Sequence, residues 1–181
     1  MTSVSIFCGS SPGHNPIYIN QAQELGEALA ERRMRIIFGG GKVGLMGVVA
    51  DAAMEVGGEV IGVIPEFMMP REVAHEGLTE LIVTESMTAR KLKMHELSDA
   101  VIALPGGYGT MEELFEVLTW DQLQLISRPV GILNTNGYYD PLIEMLDKMV
   151  ESGFLRQTNR DQLFVSSKIE DLLGEMISTS S

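Results

Sequence analysis

Short apolar runs alternate along the chain with longer segments of helical periodicity. Val4-Ser5-Ile6-Phe7-Cys8, Arg35-Ile36-Ile37-Phe38, Glu59–Ile64, Leu81-Ile82-Val83, Val101-Ile102-Ala103-Leu104, Val130-Gly131-Ile132-Leu133 and Leu163-Phe164-Val165 are rich in branched residues. Runs of this length and composition read as buried strands. Between them, Tyr18, Ala22, Leu25 and Leu29 recur at helical spacing behind Asn15-Pro16, an N-cap residue followed by a proline suited to the first helical position. Met87–Leu97, the segment carrying Met111, Leu114, Phe115 and Leu118, Gly137–Val150 and Lys168–Met176 are further helices by the same criterion. Pro65–Gly77 is a long polar connection. Strands alternating with helices throughout predict an α/β three-layer sandwich with a mostly parallel sheet, residues 1–181 forming a single domain.

Ligand loops of such sheets gather at the carboxyl ends of the strands, and there this chain concentrates its glycines. Pro105-Gly106-Gly107-Tyr108-Gly109 joins a strand to a helix with three glycines and a proline in five residues. Glycine allows positive φ and close approach of backbone to ligand, and the following helix start offers free N–H groups to a phosphate. Thr110-x-x-Glu113 also has the form of a capping box, with Thr110 as N-cap and Glu113 answering from N3. Capping and ligand chemistry both stand open for Glu113. Ser10 and Ser11, in the Gly9–Gly13 loop, either bind a ligand or make the turn. Gly39, Gly41 and Gly44 formally spell the dinucleotide fingerprint, but behind the second strand and with only Glu66 to serve as the acidic residue. Lys42 is followed by Val43, which excludes a Walker A loop. This loop reads as close backbone approach to a ligand, or as dense helix–strand packing.

Met87, Arg90, Met94 and Leu97 share one helical stripe at i, i+3, i+7 and i+10. Arg90 therefore lies on the inward face, where a cation needs either a structural carboxylate or an anionic ligand.

Composition narrows the partners. With 181 residues, 45% of them hydrophobic, the chain buries a substantial core. A net charge of −12 argues against a nucleic-acid or anionic-membrane surface, while local donors still suit a small anion. No run is long enough for a membrane span, and Ser3–Gly9 is too short for the core of a secretory signal. One cysteine, Cys8, fits a reducing cytoplasm and reads as a small residue at a strand end. His14, His75 and His95 lack metal-ligand spacing, so no metal is expected. Lys42, Lys91, Lys93, Lys148 and Lys168 show no Schiff-base setting for pyridoxal phosphate, and no other cofactor is indicated.

Pro105–Glu113 together with Met87-x-x-Arg90-Lys91 resembles the LOG family of cytokinin riboside 5′-monophosphate phosphoribohydrolases, often mislabelled lysine decarboxylases. The likeness extends over nearly the whole chain, through Phe7-Cys8-Gly9-Ser10-Ser11, Gly39-Gly40-Gly41-x-x-Gly44-Leu45-Met46-Gly47, Val60–Pro65, Arg71-Glu72 and Glu116-Val117-x-Thr119-Trp120. It implies a Rossmann-like fold, a homodimer, and hydrolysis of the N-glycosidic bond of an adenine-type nucleoside 5′-monophosphate to free base and ribose 5-phosphate. By motif it implies Arg90 and Glu113 as the catalytic pair, with Glu72, Lys91, Gly107, Tyr108, Gly109, Thr110 and Thr119 helping Arg90 to hold the substrate. Arg90 would also pair with Glu113 between turnovers. The family's usual His-Glu between Met and Arg is Thr88-Ala89 here, a departure that bears on base preference or rate. The competing reading is a non-catalytic nucleotide sensor or carrier.

Overall fold

The predicted runs become β1 (Ser3–Phe7), β2 (Arg35–Phe38), β3 (Val60–Pro65), β4 (Glu80–Thr84), β5 (Ala100–Ala103), β6 (Val130–Leu133) and β7 (Leu163–Ser166). The computed structural model describes residues 1–72 and 74–178, with the side chains of Arg71 and Glu72 outside the description. The strands form one sheet in the order β4-β3-β2-β1-β5-β6-β7. Every neighbouring pair is parallel, in line with the expected sandwich. The chain winds outward from β1 to β4, then returns to lay β5 against the other side of β1. The strand order therefore reverses between β1 and β5, where open α/β sheets hold their ligands.

Parallel strands need crossovers, and the helices supply them. In chain order these are α1 (Pro16–Glu31), α2 (Gly44–Glu55), α3 (Met69–Glu72), α4 (Met87–Leu97), α5 (Tyr108–Gln122), α6 (Asp140–Glu151), α7 (Gln157–Arg160) and α8 (Ile169–Ser178). Alternation along the strands divides the apolar residues between two cores. Val4, Ile6, Ile36, Phe38, Ile102 and Leu104 pack with Leu25 and Leu29 of α1, Val49 of α2 and Leu172 of α8. Phe7, Ile37, Val101 and Ala103 pack with Met94 of α4, Leu114 and Val117 of α5 and Leu146 of α6. Each fully buried Leu or Ile contributes roughly 1.5–3 kcal/mol by leaving water.

Local sequence explains the details. Asn15 caps α1 by accepting from Ile17 N–H at 3.1 Å, with Pro16 beginning the helix. Gly26 lets α1 and α2 touch: a Cβ there would fall 2.5 Å from the Val49 carbonyl oxygen. The long polar connection is partly helical, holding a 3-10 turn at Glu66–Met68 and then α3. The helix expected from Gly137 begins at Asp140, because Asn136 adopts φ 53° and closes a separate 3-10 turn. Asp99 ties the starts of β1 and β5 together, accepting from Thr2 N at 2.7 Å, Thr2 Oγ1 at 2.8 Å and Ser3 N at 3.0 Å. These donors, the Thr2 amide foremost, outweigh burial and lower its carboxyl to about 2.

Candidate active site

The first, second and central glycine loops meet at the β1/β5 reversal. Gly9 N–H donates to the Pro105 carbonyl at 3.0 Å, and Leu45 N–H donates to the Gly9 carbonyl at 3.0 Å. Past Pro105 the chain enters α5 three residues sooner than the capping-box pattern implies. Gly107 is the N-cap, in extended conformation and with no side-chain cap, while Thr110 lies inside the helix and is 4% exposed. The box does not form because Gly106 has no side chain. A Cβ at Gly106 would fall 2.1 Å from Thr110 Oγ1, so its absence lets that hydroxyl tuck beneath the loop. Around Gly107 and Gly109, by contrast, a Cβ would meet nothing within 4 Å. Their open sides and the uncapped start of α5, whose first turn carries no acidic residue, form an anion-receptive wall.

A cavity of about 270 Å³ adjoins this wall. Gly107, Tyr108, Gly109, Thr110, Glu112 and Glu113 line it from α5, Arg90 and Met87 from α4, and Cys8, Ser10, Gly39, Met46 and Met68 from the neighbouring loops and helices. Arg90 is 6% exposed, on the inward face that its stripe predicts. Among the described residues no carboxylate is paired with it. Its Nη1 instead points to Met87 Sδ at 3.6 Å and Met68 Sδ at 3.8 Å, and its Nε–H finds no acceptor. A buried cation that has no counter-ion among the described residues is one that a bound anion would stabilise.

Lys91, next in sequence, faces elsewhere. Its Nζ donates to Glu112 Oε1 and Glu116 Oε2, each at 2.6 Å. Burial alone would lower the Lys91 ammonium, but the two carboxylates prevail and raise it. Glu112, Glu116 and Thr119 share a stripe of α5 at i, i+4 and i+7. Thr119 is exposed, donates to the Phe115 carbonyl at 2.6 Å, and does not line the cavity. Behind this stripe His95 stacks on Trp120 with ring centroids 4.7 Å apart and Nε2 3.8 Å from Glu116 Oε1. Burial, then the positive charge of Arg128, lower His95 against the opposing pull of Glu116. The structure thus gathers Arg90, Glu113 and Gly107–Thr110 around one cavity and leaves Lys91 and Thr119 outside its lining. The Glu72 side chain lies outside the described residues.

The glycine fingerprint divides: Gly39 lines the cavity, while Gly44 and the nearby Gly47 serve packing. A Cβ at Gly44, whose φ is +62°, would fall 2.3 Å from the Ser10 carbonyl carbon, and one at Gly47 would fall 2.1 Å from the Lys42 oxygen. Sequence reasoning did not single out Glu112 or Met46 as cavity residues, and only the sheet's winding brings them there. A larger open cavity, about 860 Å³, lies at the amino ends of the strands beside Asp99, Arg128 and Asp161. It is at the wrong end of the sheet for a ligand, and Arg128 is already committed to the carbonyls of His95 and Ser98 at 2.7 and 2.6 Å. Among the described residues no three His, Cys, Asp or Glu side chains cluster to hold a metal ion, and no helix is long and apolar enough to cross a membrane.

The chain is similar to known proteins. The family model described as "Possible lysine decarboxylase" matches residues 46–176. A "Probable cytokinin riboside 5′-monophosphate phosphoribohydrolase" of Oryza sativa subsp. japonica is 47% identical over 173 residues, covering 96% of this chain and 71% of the relative. A cytokinin riboside 5′-monophosphate phosphoribohydrolase of Rhodococcoides fascians is also 47% identical, covering 95% of this chain and 87% of its own length. Among solved structures, the molybdenum cofactor binding protein of Rippkaea orientalis superposes with a TM-score of 0.72 over 99% of this chain and 97% of that one. At 22% identity that likeness concerns the fold alone.

Proposed function

The chain belongs to the LOG family, and from that premise we propose that it is an N-glycosyl hydrolase of adenine-type (cytokinin riboside) nucleoside 5′-monophosphates. The products are free base and ribose 5-phosphate. The observation that carries this reading is Arg90: a buried cation with no carboxylate partner among the described residues, in the same cavity as Glu113 and the uncapped start of α5.

The chemistry follows from those groups. The 5′-phosphate docks on the open glycines and the α5 N–H groups, with Arg90 supplying the counter-charge. As the C1′–N bond breaks, positive charge spreads over the ribose ring. The Glu113 carboxylate stabilises that charge and orients the attacking water. The water oxygen bonds to C1′, and its proton passes to the departing base. By the family motif, Glu72 helps to hold the substrate. Lys91 acts by holding Glu112 at the cavity edge.

The protein works as a homodimer in the cytoplasm. The lone cysteine suits a reducing compartment. Leu92, Leu123 and Leu125, 46%, 60% and 67% exposed on or beside α4 and α5, suit an interface, which light scattering on the purified protein tests. The function itself is tested by chromatography of the base released from AMP and isopentenyladenosine monophosphate. Release should be lost in Arg90→Ala and Glu113→Gln. Full turnover by Glu113→Gln would sink its assigned role, and tight nucleotide binding without base release would make the protein a carrier.

A further inference from the structure

Arg90 reaches the cavity at a place where β2 ends, and the residue there is Gly39. A Cβ at Gly39 would fall 1.9 Å from Arg90 Nη2 and 3.1 Å from Cζ. The guanidinium therefore occupies the volume that any other side chain at position 39 would claim. Gly39 has no positive φ, so its backbone does not require glycine. The requirement comes from Arg90. On the other side of the guanidinium, Nη1 meets the thioether sulfurs of Met87 and Met68 at 3.6 and 3.8 Å. Thioether sulfur is a weak, uncharged acceptor: it gives the guanidinium a direction without cancelling its charge.

We propose that Gly39, Met68 and Met87 form a charge-neutral seat that positions Arg90 and preserves its positive charge for the anionic substrate. These are positioning residues, acting through Arg90. The inference rests on reading Arg90 as the substrate-facing cation. It explains why the first fingerprint glycine lies in a loop that does not bind a dinucleotide, and why methionine stands where a carboxylate would ordinarily neutralise a buried arginine. A carboxylate in either position would make the arginine cheaper to bury and weaken its hold on a phosphate.

The test is a double-mutant cycle on the full chain with Gly39→Ala, Arg90→Ala and the pair, read by thermal unfolding without ligand and by calorimetric binding of AMP. With Arg90 present, Gly39→Ala should lower the unfolding temperature and weaken AMP binding at least tenfold. With Arg90→Ala the same change should move the unfolding temperature far less, because the guanidinium no longer fills that space and the remaining neighbour, Met46 Sδ at 3.2 Å, is the end of a flexible side chain. Met87→Glu should weaken AMP binding at least tenfold more than Met87→Gln, while unfolding at the same or a higher temperature. Equal effects of Gly39→Ala in both backgrounds, or equal AMP affinities of the two Met87 variants, would overturn the seat. Absence of base release by the wild-type protein would overturn the hydrolase reading instead, and the ligand-free unfolding cycle still decides the seat.

Discussion

Replacing Arg90 by methionine should make the ligand-free protein more stable while destroying its function. Arg90 is 6% exposed, and among the described residues its Nε–H has no acceptor and its Nη1 has sulfur partners alone. An unmade buried hydrogen bond costs about 1–3 kcal/mol, and the unpaired charge adds a desolvation penalty that only partial relaxation offsets. Methionine keeps most of the apolar stem that Arg90 packs into the cavity wall and sheds the charge. The two sulfur contacts it loses are each worth a fraction of a kcal/mol. The net expectation is a gain of about 1–3 kcal/mol, which for a chain of this size is roughly 2–12 °C in unfolding temperature. Urea and calorimetric unfolding of both proteins without ligand measure it. Adding AMP at about 100 times its dissociation constant should stabilise the wild type by about 2.7 kcal/mol and leave Arg90→Met unmoved. A loss of about 1 kcal/mol or more in ligand-free Arg90→Met would refute the reasoning, since it would mean that the guanidinium is satisfied by the fold.

Other perturbations follow from the same geometry. His95 is held below its ordinary value of 6.5 chiefly by burial, so the unfolded chain takes up its proton first. The stability it contributes is present above about 6.5 and lost as pH falls through the folded value, and His95→Gln should flatten that limb of a stability–pH curve. Asp99, lowered from 3.8 to about 2, contributes in the same sense at lower pH: Asp99→Asn should flatten the curve between those values. Gly26→Ala would press a methyl against the Val49 carbonyl, 2.5 Å away, and force α1 from α2. The expected loss is about 1–3 kcal/mol by urea unfolding. Lys91→Met leaves Glu116, 21% exposed at its side chain, without its ammonium, and should cost about 1–2 kcal/mol after allowing for solvent at Glu112.

The sheet was legible because its strands are apolar on both faces and its helices on one. Two-sided burial of β5 and the inward stripe of α4 both follow from spacing, and the stripe alone put Arg90 among apolar side chains. The start of α5 was misread because Thr110 and Glu113 satisfy a local rule. The deciding interaction is the space above Gly106, which draws Thr110 inside. Lys91 could not be separated from Arg90 by motif, since adjacent helical residues look alike until the partners on α5 are in place. Gly39 reads as a ligand-loop glycine for a similar reason: the side chain that fills its vacancy comes from α4, far along the chain.

The central claim is that this cavity recognises the 5′-phosphate and uses that recognition to break a glycosidic bond. Its most direct test is the ratio of kcat/KM for isopentenyladenosine monophosphate to that for the matching nucleoside, measured by base release. Loss of the phosphate removes the partner of Arg90 and of the α5 start, so the ratio should exceed about 100, since charge-assisted pairs of this kind contribute about 1.5–3 kcal/mol each. Equal cleavage of nucleotide and nucleoside by the wild type would contradict the account.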